Sequence, residues 1–177
     1  MVKKPTVNAY LISDEIITED SHEARELFNT NRYGVLKETK VSLSLIEAVY
    51  LLERKRLLLF NARNKELTYE DCLKRAKKFE HNFLTRYAVF KDIRDRGYII
   101  KTALKFGADF RVYDRGVKPG DDHAKWVVYP VQESSTLTWH EFSAKNRVAH
   151  STKKRLMIAV VDLEYDVTYY EIRWLRP

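Results

Sequence analysis

The stretch Thr68–Gly97, TYEDCLKRAKKFEHNFLTRYAVFKDIRDRG, decides how this chain is divided. It opens on Thr68 with Asp71 three residues later, a spacing that satisfies the unpaired N–H groups of a first helical turn. It closes on Gly97, the residue type that best tolerates the left-handed position after a helix. Between them Leu73, Ala76, Phe79, Phe83, Tyr87, Phe90 and Ile93 recur at three- and four-residue steps, the period of an amphipathic helix. The run is long for one globular helix. A break near His81–Asn82 splits it in two and divides the chain into halves of similar size. We therefore expect two domains, residues 1–82 and 83–177.

The first half mixes strand and helix signals. AYLISDEIITE (9–19) reads as two short strands around the turn Ser13-Asp14-Glu15. SHEARELFNTNRYG (21–34) reads as a short helix with Ser21 as N-cap, an apolar face of Ala24, Leu27 and Phe28, and an exit turn at Gly34. VLKETKVSLS (35–44) starts as an extended segment. Ser44 and Glu47 have capping-box spacing, and Leu45, Ile46, Val49, Tyr50 and Leu52 then supply a helical apolar face. RLLLFN (56–61) reads as a buried strand.

The second half is richer in strands. GYIIKTALKFGADFRVYDRG (97–116) is dense in β-branched and aromatic residues, and KWVVYPVQ (125–132) is a strong strand. TLTWHEFSAKNRVAHS (136–151) reads as a short helix capped by Thr138 and Glu141, passing into a strand or turn near RVAH. RLMIAVVD (155–162) reads as a buried strand and DVTYYEIRWL (166–175) as a final alternating one. The class is α/β (α+β), with two small mixed domains.

Composition sets outer bounds. The chain has 177 residues, 45% of them hydrophobic and 12% aromatic, enough for packed cores. Net charge is +7. Such a balance suits a polyanionic partner, because Lys and Arg that neutralise phosphates release counterions. The same Lys, Arg and Glu richness also marks proteins of hot environments. A lone cysteine, Cys72, rules out an internal disulfide and a cysteine-based zinc site. No apolar run reaches a membrane span and the start carries no signal-peptide core, so we expect a cytoplasmic protein with no membrane contact. With 5 Gly there is no glycine-rich phosphate loop.

Candidates for chemistry are few. The five histidines, His22, His81, His123, His140 and His150, lie in no metal-ligand spacing, and we expect neither metal nor cofactor. His123 follows the polar loop VKPGDD and precedes a strand, a common place for a working side chain on a rigid sheet. On composition alone it reads first as a solvated loop residue. Tyr113, ten positions earlier, reads as strand-end packing, or as a base if Arg111, Arg115 and Lys118 lend positive charge. Lys153, Lys154 and Arg155 precede a strand as a solvated cluster or as cations aimed at a phosphate.

Taken together, YAVFKDIRDRGYIIKTALKFGADFRVYDRG (87–116), His123, and RVAHSTKKRLMIAVVD (147–162) resemble the archaeal tRNA-splicing endonuclease family. VSLSLIEAVYLL (41–52) resembles that family's N-terminal domain, so the likeness spans nearly the whole chain. The resemblance implies a restriction-endonuclease-like C-terminal domain with a mixed central sheet. It implies a catalytic triad of Tyr113, His123 and Lys154, with Lys154 preferred over Lys153 by its place four residues after His150. It also implies RNA binding by Arg147 and, more weakly, Arg173.

The implied substrate is precursor tRNA, cut within a bulge-helix-bulge at the exon–intron junctions without a metal. The ribose 2′-OH attacks the adjacent phosphate, leaving 2′,3′-cyclic phosphate and 5′-OH ends. Two cuts call for two active sites, hence a homotetramer or a heterotetramer with a structural subunit. The acidic DLEYD segment, with Asp162, Glu164 and Asp166, is then expected at a subunit interface, along with part of TYYEIRWL (168–175). A non-catalytic structural subunit or RNA-binding module of the same fold is the alternative. A metal-dependent DNA nuclease would need an acidic motif with a trailing lysine, which the sequence lacks.

Overall fold

The structure, a computed structural model, describes residues 6–103, 107–117 and 123–175. The chain separates into two compact units, Met1–His81 and Asn82–Pro177.

The first unit contains β1 (Val7–Ile12), β2 (Glu15–Thr18), α1 (His22–Asn29), β3 (Val35–Lys37), β4 (Lys40–Leu43), α2 (Leu45–Glu53), β5 (Leu57–Asn61), β6 (Glu66–Leu67) and α3 (Tyr69–Phe79). Its sheet runs β3-β4-β2-β1-β5-β6, with β1 parallel to β5 and the other pairs antiparallel. Ser13, at φ 57°, turns β1 into β2 as the sequence predicts. Ser21 Oγ accepts the Ala24 N–H and caps α1.

VLKETKVSLS starts extended as expected and goes on to complete a hairpin, β3 with β4. Two expectations for this unit change. β5 is not buried throughout: Leu57 and Leu59 point into the core while Leu58 is 38% exposed, because only one face of the sheet is covered there. The buried surface of α2 is also wider than one stripe, taking in Ile46 through Leu51 and with them Glu47.

The second unit contains α4 (Phe83–Asp95), β7 (Ile99–Thr102), β8 (Phe110–Tyr113), β9 (Trp126–Gln132), α5 (Trp139–Ser151), β10 (Arg155–Val161) and β11 (Val167–Ile172). The long 68–97 run therefore breaks where its pattern predicts. At Glu80 the backbone turns extended, and α3 and α4 bury different residues: Cys72 and Ala76 against Phe83, Tyr87, Phe90 and Ile93 among others. The sheet order is β11-β10-β9-β8-β7, with β9 and β10 parallel and the rest antiparallel, so it is mixed as expected.

α5 packs on one face over Val127, Tyr129, Leu156 and Ile158. α4 packs on the other, where Phe90 meets Phe110 and the Tyr169 hydroxyl donates to Asp92. The half-buried Tyr169 phenol is pushed far up, first by desolvation and then by that carboxylate. The expected strand or turn at RVAH does not form. Helix α5 runs on to Ser151, where Thr152 Oγ1 donates to the Val148 and Ala149 carbonyls. Among the described residues, no helix is long and apolar enough to cross a membrane.

Candidate active site

Strand direction gathers the predicted residues at one end of the second sheet. Tyr113 closes β8, and the residue before it, Val112, lies opposite Trp126, the first residue of β9. Trp126 in turn lies opposite Arg155, the first residue of β10. The next positions along these strands, Tyr113, Lys125 and Lys154, therefore finish side by side, with His123 two residues ahead of Lys125. Adjacent strands are about 4.8 Å apart, so the backbones of Tyr113 and Lys154 stand on the order of 10 Å apart. Side chains of Tyr and Lys easily span that gap.

Each side chain has a definite setting. Tyr113 is 4% exposed, and the Arg111 guanidinium lies over its ring at 5.9 Å. His123 is exposed at the mouth of the loop. Lys118, Asp121 and Asp122 lie outside the described residues. Lys153 takes a left-handed backbone (φ 54°), and the Lys154 N–H closes onto the Ala149 carbonyl at 2.8 Å, so the chain leaves α5 abruptly and enters β10. Lys154 is half-buried and its Nζ donates to the Thr152 carbonyl at 2.8 Å, which occupies one of three ammonium donors. Lys153 is exposed.

The arginines divide. Arg173 shares with Lys154, Arg155, His150 and Trp174 the wall of a cavity of about 290 Å³. Arg147 lines an adjoining hollow of about 660 Å³ with Phe142, Asn146, His150 and Trp174. Helix α5 thus carries Arg147 towards the same end of the sheet but not into the Lys154 cavity. Of the acidic segment, Asp162 is turned inward: its Oδ1 accepts the Glu164 and Asp166 N–H groups, both at 2.9 Å. Glu164 and Asp166 are exposed on that turn, beside Leu163 at 84% exposure.

Sequence reasoning missed four residues at this end. Lys125 pairs with Asp114 (2.6 Å) and reaches over the Trp126 ring (4.4 Å). The Trp126 indole N–H donates to Glu171 at 2.8 Å. Trp174 meets the His150 ring at 4.7 Å. The only available signal was a basic and aromatic run, and that pattern is ordinary in a strand. Among the described residues, no group of three or more His, Cys, Asp or Glu stands ready to hold a metal ion.

Comparison with known proteins assigns the chain to a family. A model of the tRNA intron endonuclease catalytic C-terminal domain matches residues 83–169, and one of the N-terminal domain matches residues 7–73. A tRNA-splicing endonuclease of Pyrococcus abyssi is 39% identical over 173 residues, covering 98% of this chain and 99% of the relative. The chain belongs to the tRNA intron endonuclease family. Other members similar to it are the tRNA-splicing endonucleases of Methanothermobacter thermautotrophicus (40% identical; 94% of this chain, 97% of the relative) and Nanoarchaeum equitans (45%; 76% and 90%). The family's catalytic domain coincides with the unit that carries Tyr113, His123 and Lys154.

Proposed function

We propose that this chain is the catalytic subunit of a tRNA-splicing endonuclease, cutting precursor tRNA at exon–intron junctions within a bulge-helix-bulge. Residues 1–82 form its N-terminal domain and residues 83–177 its catalytic nuclease domain. The observation that carries the reading is the meeting of three strand ends: Tyr113 closes β8, His123 lies three residues ahead of β9, and Lys154 immediately precedes β10.

Tyr113, as general base, takes the proton of the ribose 2′-OH, whose oxygen then forms a bond to the adjacent phosphorus. The bond from phosphorus to the 5′-oxygen breaks, and His123 gives that oxygen a proton. Lys154 turns its remaining N–H donors to the nonbridging oxygens, where charge gathers in the transition state. The products are a 2′,3′-cyclic phosphate and a 5′-OH. Unpaired bulge nucleotides reach in-line geometry that a stacked A-form helix resists. Arg147 and Arg173 grip the RNA beside the cut.

Two cuts at fixed separation require a pair of such sites, in a homotetramer or in a heterotetramer with a structural subunit. The edge strand β11 and the turn before it support such assembly. They expose Leu163, Tyr165 and Tyr170, the segment after β11 exposes Trp174 and Leu175, and Glu164 and Asp166 fix register.

The test is cleavage of a bulge-helix-bulge RNA in excess EDTA with analysis of the ends. Cyclic-phosphate ends are expected. Loss of cleavage in EDTA refutes the metal-independent route. Cleavage that appears only with a second subunit identifies the heterotetramer. His123→Ala should bind RNA and lose most of its rate, and an unchanged rate refutes its role.

A further inference from the structure

At the catalytic end of the second sheet, one carboxylate collects donors from three neighbouring segments. Glu171, near the end of β11, accepts the Trp126 indole N–H from β9 (2.8 Å), Arg155 Nη1 from β10 (3.2 and 3.3 Å) and Arg173 Nε from the segment after β11 (2.9 Å). Strand alternation places Trp126, Arg155 and Glu171 on the face covered by α4, whereas Lys154 faces the α5 side. Arg155, Arg173 and Lys154 nevertheless share the wall of the 290 Å³ cavity.

A carboxylate has a place at a site for polyanions through its effect on the two arginines. The side chains of Arg155 and Arg173 are 45% and 67% exposed. Unrestrained, two such cations would repel each other and sample many rotamers. Glu171 binds each by one nitrogen only. A guanidinium has five N–H donors in a planar fork, so Arg155 keeps Nε and Nη2, and Arg173 keeps both Nη groups, for a further acceptor. Three charges, Lys154, Arg155 and Arg173, against one carboxylate leave the cavity cationic. The Trp126 N–H is a neutral donor fixed in a mostly buried ring, so it holds the carboxylate without adding charge. These bonds, that of Trp126 foremost, hold the Glu171 carboxyl down at about 2, and it stays ionised across any working pH.

We propose that Glu171, anchored by Trp126, is a positioning residue that presents Arg155 and Arg173 as a paired grip for an RNA phosphate next to Lys154. This rests on the RNA-cleaving reading of the site. The partner is the backbone of the strand being cut, held in the cavity whose wall Arg155 and Arg173 share with Lys154.

The test uses the full chain in its native assembly and a bulge-helix-bulge RNA made uncleavable by 2′-deoxy sugars at both scissile nucleotides. Binding is measured from low to high salt. Loss of one phosphate contact lowers the slope of log K against log salt by about 0.7–0.9. Arg155→Gln should lower it by about that amount and weaken binding roughly tenfold at physiological salt. Arg155→Lys should restore the slope but not the full affinity, since a single ammonium lacks the fork.

On cleavable RNA, Glu171→Gln keeps an acceptor for Trp126 but loses the charge. It should raise KM several-fold with kcat within about twofold. A purely structural role for Glu171 would lower the melting temperature of Glu171→Gln and leave the KM of the folded variant at the parent value, which overturns the positioning role. Unchanged slope and affinity in Arg155→Gln, with the parent still cutting RNA, overturn the grip alone. Failure of the parent to bind or cut the RNA overturns the RNA reading and the grip with it.

Discussion

Replacing Glu47 by Ala tests what holds the first unit together. Its carboxylate is 4% exposed. Oε1 accepts the Gly34 N–H at 2.9 Å, and Oε2 accepts the Ser44 N–H at 3.0 Å and the Ser44 hydroxyl at 2.8 Å. The hydroxyl can turn towards water in the variant. The two backbone N–H groups cannot. Gly34 sits at φ 63° so close to its neighbours that a Cβ would lie 2.5 Å from the Ser42 carbonyl oxygen, and Ser44 is fixed as the cap of α2.

Each stranded N–H costs about 1.5 kcal/mol, so the pair costs about 3 kcal/mol. In a unit of this size each kcal/mol moves the melting temperature by roughly 4–8 °C, a drop of roughly 12–24 °C in all. Glu47→Gln should lose about half as much, because one amide oxygen serves one N–H while the NH₂ group confronts the other. The assay is calorimetry of the full chain, paired with cleavage measured below the transition. Cleavage per folded molecule should hold, since Glu47 lies in the unit that contains none of Tyr113, His123 and Lys154. An Ala variant within about 1 kcal/mol of the parent, or a Gln variant worse than Ala, refutes the reasoning.

Three further outcomes are expected. Tyr113→Phe keeps the packing under Arg111 but removes the phenolic oxygen, so single-turnover cleavage should fall by about 10²–10⁴ with RNA affinity within a few-fold. The carboxyl of Glu171 is lowered from 4.5 to about 2, so its stabilisation is whole above pH 4.5 and drains away as pH falls towards 2. Melting followed across that window should show a steeper acid loss in the parent than in Glu171→Gln. Leu163→Asp, at a side chain 84% exposed, should leave the melting temperature of the chain itself nearly unchanged and shift the assembly to smaller species in light scattering.

Local chemistry was legible in the sequence and distant chemistry was not. Ser21, Ser44, Thr68 and Thr138 could be read as caps because a cap is decided within four residues. The end of α5 was misread because its stop comes from Lys153 in a left-handed conformation, where a glycine would have announced it. The exposure of Leu58 depends on what covers β5, which no window of sequence contains. Trp126 and Glu171 stand 45 residues apart, so their hydrogen bond had no local trace. Tyr113 and Lys154 were joined only through the family resemblance; neither residue stands out among 11 tyrosines and 32 basic residues.

Strand direction explains why residues so far apart can share one site. An antiparallel partner returns the chain to the end it left, so the finish of β8 meets the start of β9 and sets Tyr113 beside the segment of His123. A parallel partner begins where its neighbour begins, so β10 must start at that same end, and the chain can reach it only by a crossover. Helix α5 is that crossover. Had its last turn unwound into a strand at Val148–His150, the chain would have met β9 from the wrong side and the Lys153 turn would have had no helix to close. The longer helix therefore delivers Lys154 beside the start of β9, and carries Arg147 along the same path.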